Sequence, residues 1–179
     1  EMLRGKFWFV IWDKLEKTVF GARDPFGIKP FFYLEDEEKT YFASEKKSIL
    51  HAMDKHELDP VSLQHYLTYQ YTPEPATMTK NVKKLMPGHC FTKKIGEPMK
   101  IRQYWKAEFK PILRSEQSWI KEIQDVMYDS VKMHMRSDVP VGSFLSGGID
   151  STIIASIAKD FHPEIKTFSV GFEHNGFSE

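Results

Sequence analysis

The run Phe-Leu-Ser-Gly-Gly-Ile-Asp-Ser-Thr-Ile at 144–153 limits what this chain can fold into more than any other stretch. It joins the apolar run at 139–145 to the helix-like run Ile153-Ile154-Ala155-Ser156-Ile157-Ala158. The spacing predicts a strand ending at Leu145, a turn, and a helix carrying Ile153, Ile154, Ile157, Ala158 and Phe161. His162-Pro163 stops that helix. "IKTFSVGF" at 165–172 then reads as a second strand. Strand, loop, helix, strand is a βαβ unit, so the two strands are expected to be parallel with a right-handed crossover. A parallel pair needs helices over both faces. From Glu116 onward only two helices and two strands can be counted, so more chain is expected beyond Glu179. Ser178 and Glu179 read as the start of a helix, and Glu1 falls almost at once into strand rhythm. The chain therefore reads as a fragment.

A turn at the carboxyl edge of a parallel sheet is where α/β folds bind ligands. The first turn of the helix leaves N–H groups without intrahelical partners and adds a positive dipole end, which favours an anion. Gly147 and Gly148 let the backbone curl around a phosphate, with positive φ where needed. Ser146 and Ser151 bring hydroxyl donors. Asp150 beside a phosphate would be repelled unless a cation sits between them, and Mg²⁺ bridging carboxylate and phosphate resolves that conflict. The loop is not a Walker A motif, because the spacing and the lysine of that motif are absent. A Gly-Gly pair alone is as readily a plain tight turn. The whole string S-G-G-x-D-S between strand and helix is much more specific.

Upstream, residues 7–42 have a β pattern, "KFWFVIWD", "KTVFGARD", "PFFYLE" and "KTYFAS", read as an antiparallel meander with charged turns. Ser44 is expected to cap a short helix ending near Met53. Asp59-Pro60 opens a second helix, an N-cap followed by proline at its first position. Its apolar face is expected to carry Leu63, Tyr66, Leu67 and Tyr71. "TPEPAT" is irregular. The stretch at 81–105 reads as a hairpin region with Pro87-Gly88 as a turn. Residues 106–115 have no clean period and form the expected linker. A helix follows from Glu116, with Ile120, Ile123, Met127, Val131 and His134 as one core-facing stripe.

Charge excludes some partners. Lysine plus arginine and aspartate plus glutamate both number 25, a net charge of zero. Nothing here attracts nucleic acid or an anionic membrane at long range, so neither is expected as a partner. "FWFVIW" at 7–12 is too short to span a bilayer, and no signal peptide is visible. A single cysteine, Cys90, forbids an internal disulfide and makes a cytoplasmic location the simplest expectation. Cys90 itself reads as a small core residue. His51, His56 and His65 show no metal spacing and read as surface residues, and His89 after Pro-Gly reads as structural. Phe7, Trp8, Phe9, Trp12 and Trp119 read as packing residues. "RDPFGIKP" gathers Arg23, Asp24 and Lys29, and is read as a β-turn with a local ion pair rather than an active-site loop.

The string at 146–151 resembles the pyrophosphate loop of the ATP pyrophosphatases, which split ATP into AMP and pyrophosphate. "MRSDVPVGSFLSGGIDS" with "TFSVGFE" is similar to the start of the synthetase domain of the glutamine-hydrolysing asparagine synthetases. "LRGKFWFVIWD", "GARDPFGIKPFFY", "YFASEKKSIL", "LMPGH" and "YW" resemble the later part of that family's glutaminase domain. The resemblance covers essentially the whole chain, in the family's order. It implies an incomplete α+β, Ntn-like glutaminase sandwich over residues 1–105 and a linker at 106–115. An incomplete α/β parallel-sheet ATP-pyrophosphatase domain would then begin over 116–179.

The implied chemistry is adenylation of the aspartate side-chain carboxylate by ATP with Mg²⁺. Ammonia from glutamine would then attack the β-aspartyl-AMP. Ser146, Gly147, Gly148, Asp150 and Ser151 match the pyrophosphate loop, with Asp150 the implied Mg²⁺ partner. Leu145 and Val170 match positions whose backbone contacts the nucleotide in the family. The implied partners are aspartate, glutamine or ammonia, and ATP, and a homodimer is compatible with the resemblance.

The family's glutaminase uses an N-terminal cysteine as nucleophile. Mid-chain Cys90 has no free α-amino group to act as its base. The chain as given is expected to catalyse neither half-reaction. It departs from the family's pattern at Lys6 and Trp8, where small or apolar residues are usual, and at Thr152, where the hydroxyl is kept. Another ATP-pyrophosphatase ligase of the β-lactam synthetase type, or a non-catalytic remnant, are the competing readings.

Overall fold

The computed structural model describes residues 3–36 and 38–171. It separates into two compact units, Glu1–Phe109 and Lys110–Glu179. The helix start expected at Ser178 and Glu179 lies outside the described residues.

In the first unit, β1 (Trp8–Asp13) and β2 (Thr18–Arg23) form an antiparallel pair. β3 (Phe32–Glu35) and β4 (Thr40–Ala43) form another. These strands fall where the aromatic and β-branched runs predict them, but not as one meander. The helices α1 (Lys46–His51) and α2 (Pro60–Tyr69) follow. Then come β5 (Lys83–Lys84), β6 (His89–Lys94) and β7 (Lys100–Gln103). One sheet has the order β1-β2-β6-β7 and the other β4-β3-β5. β2 therefore pairs with β6, and β3 belongs to the other sheet.

Burial decides that split. Phe31, Tyr33, Leu85 and Phe91 form one buried cluster, against which Trp8, Val10, Val19, Phe42 and Met99 pack. It draws on both sheets, so the sheets face one another through it. The Phe42 and Phe91 rings stack with centroids 5.0 Å apart, and Trp8 meets Phe31 edge-on at 5.0 Å. Trp8 is thus part of the packing, while Lys6 stays exposed. On the other face of the second sheet, Leu34 and Val82 bury Ile49 of α1. A single meander would leave Phe31 and Phe91 with no facing sheet to exclude water.

The turn "RDPFGIKP" carries the chain from one sheet to the other. The Asp24 carboxylate accepts the N–H groups of Phe26, Ile28 and Lys29. Arg23 does not make the local ion pair expected of it. Its guanidinium donates to the carbonyls of Gly27, Lys29 and Leu85 and pairs with Glu74, at 2.9 Å. Arg23 and Asp24 are both almost fully buried. Asp24 thus closes the turn locally, while Arg23 ties it to Glu74 and Leu85, which are remote in sequence.

Other expectations shift by local chemistry. α1 is capped at Glu45 rather than Ser44, without a side-chain cap bond, because the Glu45 carboxylate engages Lys47. Pro87-Gly88 is a turn, but it leads from β5 to β6. The hairpin between β6 and β7 reverses at 95–99 instead. α2 does begin at Asp59-Pro60, where Asp59 accepts the Val61 N–H and the Ser62 hydroxyl. That bond turns Ser62 inward, and the expected apolar face of Tyr66 and Leu67 turns outward. Tyr71 lies past the helix, which ends at Gln70 with φ 62°. Cys90 is buried, as expected of a core residue. His89 Nδ1 bonds the Pro87 carbonyl, a structural role.

The second unit comprises α3 (Glu116–His134), β8 (Gly142–Phe144), α4 (Ile149–Phe161) and β9 (Lys166–Phe168). Ser115 caps α3 through the Ser118 N–H. The expected core stripe of α3 is only partly inside. Val131 and Met135 bury against Ala158, whereas Ile120, Ile123 and His134 are exposed. The part of α3 that packs on α4 is its last turns, so the periodic stripe outruns its partner. β8 and β9 are parallel, as the strand–loop–helix–strand spacing predicts. Among the described residues, no helix is long and apolar enough to cross a membrane.

Candidate functional site

The loop at 145–148 leaves the carboxyl end of β8 and enters α4, the position the sequence predicts. β8 stops at Phe144, one residue short of expectation, yet the Leu145 N–H still donates to the Phe168 carbonyl at 2.9 Å. Leu145 is half-buried, and the rest of the loop is exposed. Gly147 has φ +89°, and a Cβ there would have no neighbour within 4 Å. The backbone thus takes a conformation that L side chains rarely adopt, beside open space that a ligand could occupy. Gly148, in extended conformation, is the N-cap of α4 and lends it no side chain. The N–H groups of Ile149, Asp150 and Ser151 are therefore available to an anion.

The loop closes on itself through hydroxyls. Ser151 Oγ accepts the Ser146 N–H at 3.3 Å, lies 3.2 Å from Ser146 Oγ, and donates to the Gly148 carbonyl at 3.1 Å. The two hydroxyl contacts are longer than the usual bond of about 2.7–2.8 Å, and the N–H contact is longer than its usual length of about 2.9–3.0 Å, so exchanging them for phosphate oxygens costs little. Thr152 Oγ1 also donates to the Gly148 carbonyl, at 2.8 Å. Its hydroxyl therefore turns back on the helix and fixes the cap. Asp150 lies exposed in the first turn of α4.

One contact of this site lies outside anything the sequence singles out. Ser169 Oγ donates to the Leu145 carbonyl at 2.6 Å. The sequence signal for it is its place: register sets Phe144 opposite Phe168, which puts Ser169 opposite Leu145. Val170, the remaining expected nucleotide contact, follows Ser169 and is exposed.

The structure thus brings Leu145, Ser146, Gly147, Gly148, Asp150 and Ser151 into one turn, with Val170 two residues beyond the end of the neighbouring strand. The donor set is one of backbone N–H groups, hydroxyls and a single carboxylate. Such donors suit the oxygens of a phosphate chain, and Asp150 is the one carboxylate among them that could help to hold a cation. Among the described residues no group of histidine, cysteine, aspartate and glutamate could hold a metal unaided.

A family model for a glutamine amidotransferase domain matches residues 1–105, and one for asparagine synthase matches residues 122–179. The chain belongs to the glutamine amidotransferase domain family, and runs on into a segment that matches the asparagine synthase family. It is 54% identical over 177 residues to asparagine synthetase [glutamine-hydrolyzing] 1 of Bacillus subtilis, covering 99% of this chain and 28% of that protein. It is 34% identical to asparagine synthetase [glutamine-hydrolyzing] 3 of the same organism, covering 97% of this chain and 29% of the relative. It is also 34% identical to the amidase chyE of Penicillium rubens, covering 88% of this chain and 24% of that protein. The chain thus spans under a third of the length of these relatives.

The two family matches run in the order that the residues imply, amidotransferase first. Mixed α and β structure in both units is in keeping with the expected fold class. The single cysteine of this chain, Cys90, is buried and mid-chain.

Proposed function

We propose that the chain carries the later part of a glutaminase domain and the ATP-binding turn of an asparagine-forming ligase. In the whole protein, ATP would adenylate the side-chain carboxylate of aspartate, with loss of pyrophosphate. Ammonia released from glutamine would then displace AMP and form asparagine. Residues 1–105 are assigned to an Ntn-like glutaminase sandwich, 106–115 to a linker, and 116–179 to the start of an ATP-pyrophosphatase domain. The observation that carries the reading is the turn between β8 and α4. It combines a positive-φ glycine over open space, free helix-start N–H groups, paired serine hydroxyls and one exposed carboxylate.

In this reading the N–H groups at the start of α4, with Ser146 and Ser151, bind the phosphate oxygens. Leu145 and Val170 meet the nucleotide through their backbone. Asp150 would hold Mg²⁺, which when bound would supply charge neutralisation to phosphate oxygens. Cys90 takes no part in glutamine hydrolysis, because it is buried and has no α-amino group.

The test is Asp150→Ala in the full-length protein. ATP-dependent synthesis of asparagine should be abolished while glutamine hydrolysis is spared. Undiminished synthesis in that variant would sink the assignment. Assaying the unsubstituted protein with aspartate, glutamine and ATP, and scoring asparagine, AMP and pyrophosphate, separates this reading from a ligase acting on another carboxylate.

A further inference from the structure

We propose that Ser169 is a positioning residue for the nucleotide turn, and that its hydroxyl stands in for a ladder bond so that the Val170 N–H stays available to a ligand. The inference rests on the reading of the 145–151 turn as a nucleotide site.

The geometry of a parallel pair supplies the argument. Gly142, Ser143 and Phe144 lie opposite Lys166, Thr167 and Phe168. Continuing that register by one step puts Leu145 opposite Ser169. In a parallel ladder a residue donates to the one before its opposite number and accepts from the one after it. The first bond is present, since the Leu145 N–H donates to the Phe168 carbonyl at 2.9 Å. The second would be the Val170 N–H donating to the Leu145 carbonyl. That carbonyl instead takes the Ser169 hydroxyl at 2.6 Å, and neither Leu145 nor Ser169 counts as strand. Ser169 thus satisfies the last acceptor of β8 from its side chain. The ladder ends one bond early, and Val170 is not drawn in against Leu145.

The strengths of the contacts agree with this division of labour. The Ser169 bond is short and anchors the entry to the turn. The contacts inside the turn, between Ser146 and Ser151, run from 3.2 to 3.3 Å and exchange readily. A fixed hinge beside a loosely closed loop lets a ligand reorganise the loop without moving the sheet edge. Without the hydroxyl, the Leu145 carbonyl would take the Val170 N–H, and the strands would zip shut at the edge where the ligand enters.

The experiment uses the full-length protein and its Ser169→Ala and Ser169→Thr variants. Three readouts are needed: amide hydrogen exchange at Val170, steady-state kinetics with ATP, and glutamine hydrolysis. In Ser169→Ala the Val170 amide should become more protected. The KM for ATP should rise about fivefold, the scale of one lost hydrogen bond. The kcat, the glutamine hydrolysis and the melting temperature should hold. Ser169→Thr, which keeps the hydroxyl, should restore both the exchange and the KM. Unchanged Val170 exchange and unchanged KM in Ser169→Ala would overturn the proposal. A fall in melting temperature with kcat and glutamine hydrolysis lost together would make Ser169 merely structural, and would overturn it too. Absence of any ATP-dependent turnover in the unsubstituted protein would instead refute the nucleotide reading of the turn. The Val170 exchange would still decide whether the hydroxyl replaces the ladder bond.

Discussion

At the scale of single residues, Gly147 shows how a conformation can matter where a contact does not. Its φ of +89° would strain any other residue, yet an added Cβ would touch nothing within 4 Å. Alanine there would carry on the order of 1–2 kcal/mol of backbone strain. An exposed turn can escape that strain by changing shape, so the loss should appear in binding more than in stability. In the full-length protein, Gly147→Ala should weaken ATP binding at least about tenfold, the equivalent of about 1.4 kcal/mol. Its melting temperature should move little. Titration calorimetry and thermal unfolding measure the two quantities separately, and unchanged affinity would make Gly147 an ordinary turn glycine. The glycine pair was visible in the sequence because its neighbours are so polar. Arg23 was visible as well, but its partners were not. Leu85 and Glu74 reach it only after two sheets have packed, and no local spacing announces them.

At the scale of elements, the kind and order of the strands and helices were legible, and their pairings and faces were less so. Strands need only a local alternation of side chains to declare themselves, whereas the partner of β2 is fixed by which aromatic residues must share a core. The order and parallel pairing of the βαβ unit were legible, because strand, turn, helix, strand leaves little topological choice, although β9 is shorter than the run at 165–172 that announces it. α2 was legible at its start and wrong at its face. Asp59 and Pro60 marked the first turn, but the same cap bond pulled Ser62 inward and left Leu67 in solvent.

That cap makes a prediction about acid. The Ser62 hydroxyl, with the N–H groups of Val61 and Ser62 and the charge of Lys80, holds Asp59 below its ordinary value of 3.8. As pH falls, the unfolded chain therefore takes up the proton first. The stabilisation is complete above 3.8 and is lost as pH drops through the lower folded value. Asp59→Asn keeps an acceptor and removes the titration. Its melting temperature should fall less steeply with acid than that of the unsubstituted chain below pH 3.8. Parallel slopes in thermal scans across that range would show that the cap does not couple to folding.

At the scale of the whole molecule, the two units differ in how much they bury. In the first, two clusters join sheets and helix, with Phe31, Phe91, Ile49, Leu85 and Val82 almost without exposure. In the second, Val131, Met135 and Ala158 form the buried set among the described residues. The α3 residues Ile120, Ile123 and Val126 and the α4 residues Ile153 and Ile154 stay exposed. β8 and β9 are three-residue strands in a two-stranded sheet, and such a pair is marginal by itself in water. Local stability follows buried apolar contact, so the units should open independently and at different free energies. In this chain the ladder amides shared by β2 and β6 should exchange most slowly. Those of β8 and β9 should exchange early, at conditions where the first unit is still closed. The relatives are more than three times as long as the stretch they share with this chain. In a protein of that length the added residues should cover the parallel pair and slow its amides towards the rate of the β2–β6 ladder. Hydrogen exchange read by mass spectrometry, on this chain and on the full-length protein side by side, makes the comparison directly. Equal protection of both units in the short chain would mean that β8, β9 and their two helices hold themselves. The expectation that a parallel pair needs cover on both faces would then fail for this turn, and the nucleotide site would be formed by these residues alone.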